Sequence, residues 1–157
     1  LLKYKKAKNA AEPLARLMQK RVWEKIKLKD ALVVPIPLSK KRLRQRGFNQ
    51  AELIARCLLA IPKDSPSELQ RRVLWEVRSD ILYKKVHTES QVSIKDKEGR
   101  LTNLAGSFEV KNPEAVRDKN IILIDDVCTT GATIKEARKT LKEAGARRVI
   151  AMVVARG

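Results

Sequence analysis

The chain is poor in the residues that make cross-links, metal cages and stacking surfaces. Its only cysteines, Cys57 and Cys128, stand far apart in 157 residues, and its single histidine, His87, has no cluster around it. A disulfide framework needs paired cysteines and a zinc site needs a spaced Cys/His set, so the sequence argues against both. Cys57 reads instead as a small buried hydrophobe in a helix, Cys128 as a loop residue and His87 as a surface or loop residue. Phe, Tyr and Trp make up 4% of the chain and are scattered, which argues against a strong base-stacking platform. No apolar run approaches the roughly 20 residues that cross a bilayer as a helix. The start, Leu1-Leu2-Lys3-Tyr4-Lys5-Lys6, lacks an uninterrupted signal-peptide core. The expectation is a cytoplasmic protein with no membrane span. There is no leading Met, which suggests a start inside a longer chain or a trimmed one, and no internal repeat or low-complexity run.

What is present is a core and an uneven charge. An apolar content of 43% in 157 residues suits one compact domain. The net charge is +17, and its surplus sits at the front: residues 1–50 hold 15 Lys and Arg against 3 Asp and Glu, the remaining 107 residues 20 against 15. Such a surplus attracts polyanions, whether a phosphorylated small molecule, pyrophosphate or a nucleic-acid backbone. For the residues before Asp30, ordinary lysine-rich solvation of helix faces is an equal alternative.

From Asn9 to Lys29 the pattern is a basic amphipathic helix, with Leu14, Leu17, Met18, Trp23 and Ile26 near one face and Pro13 in its first turn. A short strand follows from Ala31 to Ile36, ended by Pro35 and Pro37. The next segment, Pro35-Ile36-Pro37-Leu38-Ser39, is rigid, and Lys40, Lys41, Arg42, Arg44 and Arg46 place five cations within seven residues. Those cations suit a doubly charged anion or a nucleic-acid contact; a solvated helix start is the bland reading. Asn49 with Glu52 gives a capping-box-like start to a helix ending near Ala60. The stretch from Ile61 to Val77, with Pro62, Pro66, Arg71, Arg72 and Trp75, reads as a long spacer with room for an extra helix. Between Tyr83 and Asn112 the chain is polar and sparsely periodic.

The densest information lies in Ile121 to Thr133, I-I-L-I-D-D-V-C-T-T-G-A-T. Four apolar residues without polar alternation read as a central parallel strand covered on both faces. Its carboxyl end points into the crevice where open α/β sheets bind ligands. Asp125 and Asp126 sit there on opposite sides of the strand, two acceptor-only groups suited to sugar hydroxyls. Thr129, Thr130, Gly131, Ala132 and Thr133 then offer small side chains, hydroxyls and backbone N–H groups at a helix start, the recipe for holding a phosphate. Ile134, Ala137, Leu141 and Ala144 share the apolar face of that helix, Gly145 stops it, and Val149 to Ala155 form the next strand.

This stretch resembles the phosphoribosyl-pyrophosphate (PRPP) motif of type I phosphoribosyltransferases. The resemblance implies an α/β fold with a central, mainly parallel sheet flanked by helices and a small hood and flexible-loop region. It also implies roles: Asp125 and Asp126 as the catalytic acids that hold the ribose hydroxyls, Thr129 to Thr133 for the 5′-phosphate, and Pro35, Ile36, Pro37, Leu38 and Ser39 for pyrophosphate. Residues 1–30 are then a basic helix and linker packed on a phosphoribosyltransferase-like domain of residues 31–157, a single domain overall.

A second resemblance is narrower. The string from Val34 to Ala55, V-P-I-P-L-S-K-K-R-L-R-Q-R-G-F-N-Q-A-E-L-I-A, resembles the ComF family of competence-associated phosphoribosyltransferase-like proteins. Thr88, Gln91, Arg100, Asn103 and Phe108 follow in the order of that family's T-x-x-Q and R-x-x-N segments. Members often begin with a cysteine-rich zinc ribbon; no cysteine precedes Cys57 here, so that module is absent or removed. The implied reaction is displacement of pyrophosphate from C1 of PRPP by a nitrogen nucleophile, with Mg²⁺ carried mainly by PRPP rather than by direct protein ligands. Arg100 and Asn103 are candidates for a mobile loop that closes over PRPP, or equally for groups that tie such a loop down. The acceptor base has no readable signature. The competing expectation is a non-catalytic protein of the same fold that binds single-stranded DNA, or partners in the competence machinery, through its basic residues.

Overall fold

A computed structural model describes residues 9, 11–18, 26, 28, 30–60, 74–85 and 106–157. The elements in chain order are β1 (Asp30–Pro35), α1 (Lys40–Arg46), α2 (Gln50–Ala60), β2 (Leu74–Val77), β3 (Leu82–Lys84), β4 (Phe108–Val110), a single 3₁₀ turn (Pro113–Ala115), β5 (Asn120–Cys128), α3 (Ala132–Glu143) and β6 (Arg148–Arg156). Four strands form a parallel sheet in the order β2-β1-β5-β6, and β3 and β4 pair separately in an antiparallel ribbon.

The apolar run of β5 explains the layering. Residues 121–124 are each 0–1% exposed, because alternate side chains enter two different cores. Ile122 and Ile124 pack with Val33 of β1, with Leu53, Ile54 and Leu58 of α2, and with Ala11, Ala15 and Met18 of the helical residues 11–18. Ile121 and Leu123 pack with Val34, with Ala137 and Leu141 of α3, and with Ile81, Leu82 and Phe108. A fully buried Ile or Leu contributes roughly 1.5–3 kcal/mol, so this one strand holds helices to both faces. Among the described residues no helix is long and apolar enough to cross a membrane.

Several expectations need correction. The tail of the supposed 61–77 spacer is not helical: Leu74–Val77 is an edge strand, parallel to β1 with Ala31 opposite Trp75. Residues 61–73 lie outside the described part. Leu17 does not join the apolar face of the first helix but is 53% exposed, while Ala11 and Ala15 are buried in its stead. Asn49 caps α2, its side-chain oxygen accepting from the Ala51 N–H at 3.0 Å. Glu52 does not complete the expected box; it takes two hydrogen bonds from Arg56 one turn on, at 3.0 and 2.8 Å.

Candidate functional site

β5 does not stop at its apolar residues. Backbone pairing with β6 runs on through Asp125 opposite Val153 to Val127 opposite Ala155 and Cys128 opposite Arg156, so Asp125 and Asp126 lie within the strand. The two carboxyl groups lie close enough to interact side chain to side chain. Asp125 lines a small polar cavity with Val127, Cys128, Thr129, Thr130, Gly131, Ala132, Thr133 and Ile134. Asp126 borders an apolar cavity lined by Ala11, Leu14, Phe48, Gln50, Leu53 and Ile54. Both carboxylates are steadied by the next N–H along: Asp125 Oδ1 accepts from Asp126 N–H and Asp126 Oδ1 from Val127 N–H, each at 2.9 Å.

The loop after β5 leaves donors for an anion. Gly131 is the N-cap residue of α3, at φ 77°, and α3 has no side-chain cap and no acidic residue in its first turn. The first N–H groups of a helix have no intrahelical acceptor, and among the described residues no carboxylate takes them. Thr130 Oγ1 turns back to accept from Ala132 N–H at 3.4 Å, the one side-chain bond within the loop among the described residues.

The second loop arrives beside the first because β1 and β5 are neighbours, with Pro35 opposite Ile124. Ile36 N–H donates to Ile124 O at 2.9 Å, and Ile36 O accepts from the Asn49 side chain at 2.9 Å, so the segment is fastened to β5 on one side and to α2 on the other. Pro35 and Ile36 are buried, and Pro37, Leu38 and Ser39 half-buried. Ser39 caps α1, accepting from Arg42 N–H at 3.3 Å. Lys40, Lys41, Arg42, Arg44 and Arg46 are all exposed. Among the described residues none of these five forms an ion pair with a carboxylate. Arg100 and Asn103, like Thr88, Gln91 and His87, lie outside the described residues.

Sequence reasoning missed Lys84. This half-buried residue ends β3, with its ammonium 5.7 Å from the centroid of the buried Phe108 ring. Burial, and the nearby charge of Arg42, pull its pKa below the ordinary lysine value, while the charge of Asp125 opposes them. Asp125 is pushed up to about 6, chiefly by burial and further by the charge and side chain of Asp126; the Asp126 backbone N–H and Lys84 act the other way. One signal was legible, a Tyr-Lys-Lys strand end ahead of a polar segment. What Lys84 reaches was not, since β3 lies outside the sheet of β5. Glu136 of α3 was also missed. It accepts from Gly106 N–H at 2.6 Å and so fixes the approach to β4.

A larger cavity, of about 330 Å³, opens at the opposite pole of the sheet, lined by Asp30, Ala31, Leu32, Trp75, Glu76, Lys119 and Asn120. It lies at the amino ends of β1, β2 and β5, whereas open α/β sheets bind ligands at the carboxyl ends, so the candidate site is the Asp125/Asp126 end. Among the described residues no group of three or more His, Cys, Asp or Glu side chains could hold a metal ion. A cation delivered on a polyphosphate and met by one or two carboxylates suits this donor set better than a protein cage does.

The phosphoribosyl transferase domain family matches residues 3–157. Competence protein ComFC of Bacillus subtilis (strain 168) is 41% identical over 117 residues, which are 74% of this chain and 40% of that protein. Competence protein F of Haemophilus influenzae is 32% identical over 144 residues, 87% of this chain and 56% of that one. The chain thus spans about half the length of these curated relatives. In fold it is similar to the glutamine PRPP amidotransferase of B. subtilis complexed with ADP and GMP, with a TM-score of 0.52 at 16% identity, covering 94% of this chain and 26% of that one.

Proposed function

Because the chain belongs to the phosphoribosyl transferase domain family and is ComF-like within it, we propose that it binds PRPP and transfers the phosphoribosyl group to a nitrogen acceptor, in the service of competence or DNA uptake. The observation that carries this reading is the meeting of Asp125 with the uncapped start of α3 across residues 129–133. In it, the 5′-phosphate takes the N–H groups and hydroxyls of Thr129, Thr130, Gly131, Ala132 and Thr133. Asp125 and Asp126 accept from the ribose hydroxyls. The pyrophosphate lies along Pro35, Ile36, Pro37, Leu38 and Ser39, with the charges of Lys84 and Arg42 nearby.

As the C1–N bond forms, the C1–O bond to pyrophosphate breaks and its electron pair leaves with the pyrophosphate oxygen. The chain's part is to orient the ribosyl unit and favour positive charge at C1 with two carboxylates. Mg²⁺ bound with PRPP would neutralise charge on the pyrophosphate, and Asp125 and Asp126 are the residues that would help hold it. The test is pyrophosphate release from PRPP with a panel of nitrogen bases. Acceptor-dependent release supports transfer, and release with no acceptor in the panel contradicts it.

A second reading rests on its own observation, the five exposed cations of α1, which form no ion pair with a carboxylate among the described residues. In this reading the helix contacts the backbone of single-stranded DNA, or an acidic partner in the competence machinery, in the cytoplasm, and the PRPP fold serves binding without catalysis.

A further inference from the structure

The parallel sheet ends at β6, and the outer edge of that nine-residue strand has no strand partner among the described residues. We infer that this edge is a docking site, which takes an extended acidic segment of a partner protein as a further strand of the sheet. The inference is independent of the phosphoribosyl-transfer reading.

An unpaired edge presents a row of backbone N–H and C=O groups that can pair with another chain, and proteins guard against this with short edges, charges, prolines or bulges. β2, at the other end of the sheet order, is guarded: it has four residues, one of them the exposed Glu76. β6 is not. Its middle, Val149-Ile150-Ala151-Met152-Val153-Val154-Ala155, has no charge, proline or glycine. Pairing with β5 keeps one register from Asn120 opposite Arg148 to Cys128 opposite Arg156, so no bulge turns the edge away. Ala151 and Ala155 are exposed and Ile150, Val153 and Val154 only half-buried, which leaves apolar surface for an added strand to cover.

Charge selects the occupant. Arg148 and Arg156 are the only charged residues of β6 and stand at its two ends. On α3, Lys142 reaches the entry of the strand, donating to Ala146 O and Arg147 O at 2.8 Å each. Arg138 lies one turn earlier on the same flank of the helix. Arg138, Lys142 and Arg148 are exposed, and none of them forms an ion pair with a carboxylate among the described residues. A second copy of the chain fits poorly. Antiparallel self-pairing about Met152 sets Arg148 opposite Arg156 of the second copy at both ends, and like charges directly opposite destabilise a pair. Two chains of net charge +17 also repel one another at a distance. A strand with an apolar middle and carboxylates toward its ends covers the exposed alanines and valines and meets these cations, while main-chain hydrogen bonds supply affinity.

The test uses the full chain and two labelled peptides of the length of β6, each with valine and threonine in the middle, one ending in glutamates and the other in lysines. Fluorescence anisotropy reads affinity, and amide hydrogen exchange reads where the peptide lies. Expected is binding of the glutamate peptide alone, with slowed exchange in Ile150 to Val154. Ala151→Glu should weaken it tenfold or more, and Ala155→Glu is the second edge variant in case the first perturbs folding. Lys111→Gln, which follows β4 and makes the same change of charge, should leave it unaltered. No binding, binding of the lysine peptide as well, slowed exchange elsewhere on the chain, or an equal loss in Lys111→Gln and the edge variants each overturns the inference. Sedimentation of the chain without peptide covers the remaining occupant: a dimer that Ala151→Glu dissolves makes the edge a self-contact and overturns the inference too.

Discussion

Asp125 and Asp126 are neighbours in β5 whose carboxyl groups interact side chain to side chain, Asp125 at the phosphate-loop cavity and Asp126 at the border of an apolar one. Their substitutions should therefore share one effect. Both Asp125→Asn and Asp126→Asn remove a charged acceptor from the ribose hydroxyls, an interaction of about 1.5–3 kcal/mol, and should weaken PRPP binding ten- to a hundredfold in calorimetry. Asp125→Asn should in addition lose the pH dependence of that binding near 6. PRPP binding unchanged in both variants would contradict the shared grip.

The half-buried carboxylate of Asp125 sets a pH dependence. Its pKa is raised from 3.8 to about 6, and the ionised form is the better acceptor for hydroxyls. PRPP affinity should rise as pH passes through 6 and level off above it, and Asp125→Asn should flatten that limb. For stability the sign reverses. A raised acid pKa contributes stability that is fully present below 3.8 and is lost as pH climbs through about 6. In urea titrations Asp125→Asn should match the parent at acid pH and exceed it at pH 8 by about 1 kcal/mol, a figure discounted for the solvent that reaches the group.

Two glycines separate backbone strain from binding. Gly131 and Gly47 have φ values of 77° and 81°, and an added Cβ meets only Cys128 Sγ at 3.8 Å in the first case and nothing within 4 Å in the second. Ala at either position should cost about 1 kcal/mol from its conformation alone. Gly131→Ala should in addition impair PRPP binding, because the cap of α3 shifts. Gly47→Ala should leave it intact. Paired denaturation and calorimetry read both effects.

Asn49 joins the β1 loop to α2, donating to Ile36 O while capping Ala51 N–H. Asn49→Ala should lose about 1–2 kcal/mol of stability. It should also raise the KM for PRPP more than it lowers kcat, since the residue holds the Pro35-to-Ser39 loop and makes no contact at C1.

If α1 binds nucleic acid, fluorescence anisotropy with a single-stranded oligonucleotide should show affinity falling steeply with salt, at a log–log slope of about −0.7 per phosphate contacted. Lys41→Glu with Arg44→Glu should flatten that slope and leave PRPP binding unchanged. A flat, weak response in the parent would reject the contact.

The acid pair and the threonine loop were readable from sequence because they are local: a buried β-branched run, two acids and a helix start follow one another within thirteen residues. The extent of β5 was not readable, since its last residues are strand only because β6 continues opposite them. Leu74–Val77 has too few residues to declare a period, and it becomes a strand by pairing with β1, far away in the chain. Lys84 escaped for a related reason: β3 and β4, a separate ribbon, bring it toward Asp125. Glu52 matched a capping box on spacing, but Arg56 offered it a charged partner.

The central claim is that residues 125–133 grip the ribose and the 5′-phosphate of PRPP together. A crystal structure of the chain with PRPP and Mg²⁺ tests it most directly. The account predicts phosphate oxygens within hydrogen-bond distance of the backbone N–H groups of Thr130, Gly131, Ala132 and Thr133, and ribose hydroxyls on the Asp125 and Asp126 carboxylates. PRPP bound elsewhere on the chain, with both carboxylates and that loop untouched, would contradict it.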